Sequence, residues 1–207
     1  MSLYAIAVFL HIVGALGLFA ALGLEWASLL NLRRATAAGQ AREWARVLAS
    51  LRTVAAPAVL TLLVTGIYLT ATRWGGQGWI GVGFGGLVLI AVLGATLTGR
   101  RAGAIVRAVA AEAGTLSASL GDRLRDPVLL VSAWLRTALA LGIIFIMSTK
   151  PSSAGALTAM GVALGLGFAA GLPAWGRAVA PRRRRPRLRR PEPSLARMLK
   201  EVAEKGR

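Results

Sequence analysis

The sequence has no cysteine, a single histidine and only eight acidic residues against 25 lysines and arginines. The absence of cysteine excludes disulfides, thiolate-bound metals and cysteine nucleophiles, while leaving the redox compartment open. One histidine, His11, does not complete a metal site, and no His/Asp/Glu cluster with ligand spacing accompanies it. No nucleophile stands beside a base in a pattern that points to hydrolysis. The expectation is a protein that is not an enzyme and needs no resident cofactor. The shortage of acid leaves a formal net charge of +17, so the basic residues must be gathered in particular places.

What the chain has in excess is apolar length. Hydrophobic residues make up 56% of the 207 positions and the mean hydropathy is +0.62, against ~45–50% apolar residues in a soluble domain. The excess falls into five runs, about 3–30, 54–72, 79–99, 128–149 and 153–176. Each is long enough to cross ~30 Å of hydrocarbon as a helix rising 1.5 Å per residue. A helix satisfies its own backbone hydrogen bonds, which an open strand in lipid cannot do. The fold class expected is all-α, a polytopic transmembrane helix bundle of five spans over residues 1–180, followed by a basic tail over 181–207. The first run lacks a basic leader and exceeds the ~7–15 apolar residues of a signal peptide, so it is expected to be an uncleaved span.

The basic residues set the expected orientation. Arg33, Arg34, Arg42, Arg46 and Arg52 follow the first run, and Arg100, Arg101, Arg107, Arg123 and Arg125 follow the third. The turns at 73–78 and 150–152 carry only Arg73 and Lys150. The positive-inside rule then places the N-terminus outside and the C-terminus in the cytoplasm of a bacterial plasma membrane. Trp26, Trp74, Trp79 and Trp175 fall at run ends, where an aromatic belt would lie. The segments AREWARVLASL and AGAIVRAVAAEAG have apolar residues at helical spacing and are expected to extend the spans as cytoplasmic helices. Pro57 is expected near the start of the second span and Pro127 in the first turn of the fourth. Gly81/Gly85, Gly161/Gly165 and Gly167/Gly171 are pairs spaced for close helix approach. GVGFGG at 81–86 lacks the Gly-Lys-Ser/Thr of a phosphate loop and reads as helix packing.

The stretch PRRRRPRLRRPEP is a break in composition. Arg182, Arg183, Arg184, Arg185, Arg187, Arg189 and Arg190 lie among four prolines, which precludes a core. Ser194 then stands as an N-cap before a short apolar stripe of Leu195, Met198, Leu199 and Val202. A basic cluster directly after a span is read as contact with anionic lipid headgroups, at ~1 kcal/mol per basic residue. That reading is favoured over nucleic acid. Recruitment of a cytoplasmic partner through the tail is an alternative, as is a second copy or another membrane subunit as partner.

The first run holds His11 and Glu25 inside FLHIVGALGLFAALGLEW. Fourteen residues apart, they lie within roughly 40° of each other around a helix and about 21 Å apart along it. That face is expected to point into the bundle. Arg136 lies roughly 13 Å into the fourth span, where an unpaired charge costs ~2.5–3.5 kcal/mol, so Glu25 is its expected partner. Thr65 and Tyr68 of the second span reach about the depth of His11 and are expected to join it in an interhelical polar network. The alternative for His11 is an axial haem ligand, with a second ligand from another subunit or a methionine such as Met147.

FLHIVGALGLFAALG resembles the first span of small bacterial integral membrane proteins loosely related to copper-resistance protein D. WLRTALALGIIFIMSTKP resembles a late span of an uncharacterised integral-membrane family in that neighbourhood. The resemblance covers residues 1–151 and attaches to His11, Gly14, Ala15, Arg136, Met147, Lys150 and Pro151. Where that pattern has Trp and Gly-Gly, this chain has Leu18-Phe19 and Ala20-Ala21. The family name implies copper by association, whereas four methionines and one histidine make no copper-rich motif. The function expected is a small transporter-like or accessory membrane subunit with an interhelical polar network. The alternatives are a haem-based electron-transfer protein and a membrane anchor for a cytoplasmic partner.

Overall fold

The computed structural model describes residues 2–179 and 204–205, and for 175–179 only the backbone. The seven arginines of the tail (Arg182 to Arg190), the Ser194 cap, the stripe after it and the Trp175 side chain lie outside the described residues. Within them the chain is helical, with one isolated β-bridge between Ala37 and Thr115. The elements are α1 (Leu3–Arg34), α2 (Ala38–Leu69), α3 (Gly78–Leu93), α4 (Arg100–Ala110), α5 (Ala118–Leu124), α6 (Pro127–Thr149) and α7 (Ser153–Val179). Two π-helical segments, Thr70–Trp74 and Gly94–Gly99, continue α2 and join α3 to α4. Five helical stretches are long and apolar enough to cross a membrane: Leu3–Arg34, Ala38–Trp74, Gly78–Ala110, Ala118–Thr149 and Ser153–Ala174.

The helices exceed the apolar runs at the end that carries Arg34, Ala38 and Pro127, here termed the lower end. Ala-rich sequence with helical spacing lets α1 and α2 run on until only residues 35–37 separate them. Pro57 therefore lies inside α2 rather than near its start. Trp26 likewise lies inside α1, which continues to Arg34. Its indole donates from Nε1 to Thr137 Oγ1 at 3.0 Å and meets Trp134 edge-on at 4.8 Å, so it packs between helices. Asp126 starts α6: one carboxylate oxygen accepts from Val128 N at 2.9 Å and the other from Arg101 Nε at 2.9 Å, with Pro127 in the first turn. Gly114, at φ +77, turns the α4–α5 loop so that its carbonyl accepts from Ala38 N at 3.0 Å.

Packing divides the bundle into two groups. α1 lies along α2, and α6 lies along α7 and α3. Gly14 permits the first contact, since a Cβ there would stand 3.2 Å from the Ala58 carbonyl. Gly167 and Gly171 permit the second, with Trp134 O at 3.0 Å and Val131 Cα at 3.1 Å from their absent Cβ atoms. By contrast, nothing lies within 4 Å of the Cβ positions of Gly81, Gly85, Gly161 or Gly165. Those four face outward, while Gly83, Gly86 and Gly142 occupy the inner faces of the same bundle.

The groups join at the lower end, where Leu29, Leu32, Leu48, Ile105, Val109, Leu124 and Leu129 form one continuous core. Toward the upper end, where Leu3, Trp74 and Lys150 lie, a second apolar core, with Leu18, Leu62, Ile80, Leu87, Leu139 and Ile146, lies between them. α2 and α3 are consecutive along the chain yet touch only briefly. The upper rim is bound by cation–aromatic contacts, Arg73 over the Tyr4 ring at 5.7 Å and Lys150 Nζ over Trp74 at 4.2 Å. Lys150 ends α6 in the left-handed region, φ 48, which reverses the chain into α7.

Candidate functional site

Arg136 projects from the middle of α6 into the junction between the two groups. Its Nη2 donates to Glu25 Oε1 of α1 and, at 2.9 Å, to Thr98 Oγ1 in the π-helical segment. Its Nε reaches both the carbonyl and the hydroxyl of Ser132, one turn earlier, at 3.3 Å. Ser132 and Thr98 share a further hydrogen bond of 3.1 Å between their hydroxyls. The Arg136 and Glu25 side chains are 8% and 5% exposed, so the pair is desolvated. Two opposite formal charges cancel, and neutral hydroxyls take further guanidinium donors, which is what permits ions to remain in an apolar interior. Gly94 makes room: a Cβ there would stand 3.4 Å from Arg136 Nη1.

The π-helical turn has a direct part in this site. An extra residue in the turn shifts the face that the following residues present, and Thr98 is the buried residue of that segment. The arrangement ties α1, α3 and α6 together. Its geometry is that of a clamp between these helices.

His11 belongs to a second, separate cluster. Its Nδ1 lies 2.9 Å from Thr65 Oγ1 across the α1–α2 contact. Thr65 in turn donates its hydroxyl hydrogen to the Thr61 carbonyl within α2, the usual way for threonine to satisfy itself in an apolar helix. The interhelical polar residues His11, Thr65, Glu25 and Arg136 thus form two clusters on α1, with no hydrogen bond between them among the described residues. Tyr68 joins neither. It sits a turn above Thr65, half-buried, and the Thr65 hydroxyl is already occupied by Thr61 and His11.

Between α1, α2, α3 and α6, above the clamp, lies a cavity of about 630 Å³. This is within the ~300–1,000 Å³ of small-molecule sites. Leu18, Leu62, Ile80, Phe84, Leu87 and Ile143 make most of it apolar, with His11 in its wall and Thr70, Ser148 and Lys150 among its few polar linings. The first π-helical segment contributes Thr70 and Trp74. No group of three or more His, Cys, Asp or Glu side chains that could hold a metal ion occurs among the described residues.

Sequence reasoning named Glu25, Arg136, His11 and Thr65 but not Ser132, Thr98, Gly94 or the cavity. Ser132 carries a legible signal, four residues before Arg136 and thus on its face. Thr98 carries none, because a regular α-helix through Gly94–Gly99 would turn it elsewhere. Comparison with known protein families, curated proteins and solved structures found no match to this chain.

Proposed function

We propose that this chain is a multi-pass protein of a bacterial plasma membrane, N-terminus outside and C-terminus in the cytoplasm, acting without catalysis as a small transporter-like or accessory subunit. Kinship with the copper-resistance protein D neighbourhood is part of this proposal, on the stretches around His11 and Arg136. The orientation rests on the arginines at the lower end, between α1 and α2 and along α4 and α5, against near-neutral upper turns.

The observation that carries the transporter-like reading is an apolar cavity lying directly above a buried ion pair at the same helix interface. A cavity between two helical groups, bounded on one side by a polar clamp, has the form of a carrier closed on that side. Breaking the clamp removes the polar contact that closes the lower side of the cavity and weakens the hold that the apolar core beneath it shares. The test uses the absence of native cysteine: Leu18→Cys places a thiol on the cavity wall. It should react with an impermeant reagent added outside. When Glu25→Gln is combined with it, reaction from the cytoplasmic side should appear in inverted vesicles. A thiol shielded from that side in both proteins would remove the transporter-like reading and leave the accessory one.

A further inference from the structure

The Thr65 hydroxyl has one hydrogen, and it is committed to the Thr61 carbonyl. Toward His11 the same oxygen can only accept, so the hydrogen of that 2.9 Å contact belongs to His11 Nδ1. No carboxylate lines the cavity, and an apolar wall holds the neutral imidazole. The other ring nitrogen, Nε2, then carries a lone pair. Beside Thr65 at Nδ1, the ring meets the Leu62 backbone, and no hydrogen bond of Nε2 occurs among the described residues. The cavity wall thus contains one strong, directional acceptor; of its other polar groups, the Thr70 and Ser148 hydroxyl hydrogens go to the Gly66 and Ile144 carbonyls and Lys150 lies over the Trp74 ring at the rim.

Such a site selects a donor. We propose that the cavity binds a lipid-soluble hydroxyl compound, a phenol or alcohol with an apolar body, whose O–H donates to His11 Nε2. Ketones, ethers and carboxylates offer only oxygen acceptors to that lone pair and are refused the bond. The route in is lateral. Ile12 and Leu16 of α1 and Ile144 of α6 line the cavity and are also 54%, 66% and 46% exposed, so its mouth opens between those helices onto the apolar surface. The lone pair could equally coordinate iron, but the cavity supplies no second imidazole or thiolate, only the Met147 thioether.

The lateral route rests on the membrane reading; the binding site does not, and its test in detergent is independent of orientation. Full-length protein is titrated calorimetrically with para-hexylphenol and with its methyl ether, para-hexylanisole, against blank micelles. The two share an apolar body and differ by one hydroxyl donor. Wild-type protein should bind the phenol about tenfold more tightly, the worth of one hydrogen bond in a desolvated site. His11→Leu should bind both alike. His11→Gln, which keeps an acceptor oxygen, should retain part of the preference. Ala15→Phe, which fills the cavity from α1, should abolish saturable binding of both. Equal affinities in wild type, or a preference that survives in His11→Leu, would overturn the proposal. So would a stoichiometric Soret band on haem addition that both His11 variants lose. If His11→Leu fails to fold, the wild-type comparison and Ala15→Phe still decide.

Discussion

Glu25 and Arg136 are 111 positions apart in sequence and become one buried unit in the fold. Neither charge is tolerable alone where it lies, and the consequence is measurable. Glu25→Gln should lower thermal stability in detergent by about 3–5 kcal/mol, because it leaves the guanidinium buried without its counter-charge. Glu25→Leu combined with Arg136→Leu removes both charges and should recover most of that loss. A double variant that shows only the sum of its two single losses would mean that the residues are not coupled. Thr98 and Ser132 hold the guanidinium in place from the other sides, so the clamp depends on uncharged residues as much as on the ion pair.

At the scale of the element, glycine spacing alone does not say which face of a helix is an interface. Gly161 and Gly167 both lie on α7 in similar apolar sequence, yet a Cβ at 167 meets Ala138 Cβ at 2.9 Å and one at 161 meets nothing within 4 Å. Gly167→Leu should therefore push α6 and α7 apart and destabilise by about 1–3 kcal/mol, the usual cost of overpacking. Gly161→Leu should leave the unfolding temperature unchanged. Equal effects at the two sites would contradict the rotation of α7 about its axis. The two π-helical segments matter at the same scale. One places Thr98 against Arg136, and the other delivers Thr70 and Trp74 to the cavity.

For the whole molecule, the lower end is the joined end. A core of leucines, alanines and valines, the Ala38–Gly114 backbone bond and the bond from Arg42 Nη2 to the Glu112 carbonyl at 2.8 Å all lie there. The upper half has its own apolar core around the cavity, and cation–aromatic contacts at its rim. Single cysteines at Gly76, in the upper turn, and at Gly114, in the lower loop, should report orientation directly. Gly76→Cys should label with an impermeant thiol reagent in intact cells, and Gly114→Cys only after lysis. The reverse pattern would invert the proposed topology and place the basic tail outside.

The sequence by itself determined five apolar helices, their approximate limits and the alternation of basic and near-neutral connections. These depend on composition and on a 1.5 Å rise, which are local properties. It also singled out Glu25 and Arg136, because isolated charges in apolar runs must be reconciled with burial, and two of opposite sign at similar depth imply each other. Only the tertiary structure decided which glycines are interfaces, since Gly81 and Gly83 differ by a rotation that no spacing rule specifies. It alone turned Thr98 inward through a π-helical turn, separated His11 from Glu25 into different clusters and left Tyr68 out of both. The cavity belongs to the same category. It exists because α1–α2 and α3–α6–α7 pack more closely within themselves than against each other, and that is a property of the assembled helices rather than of any one of them.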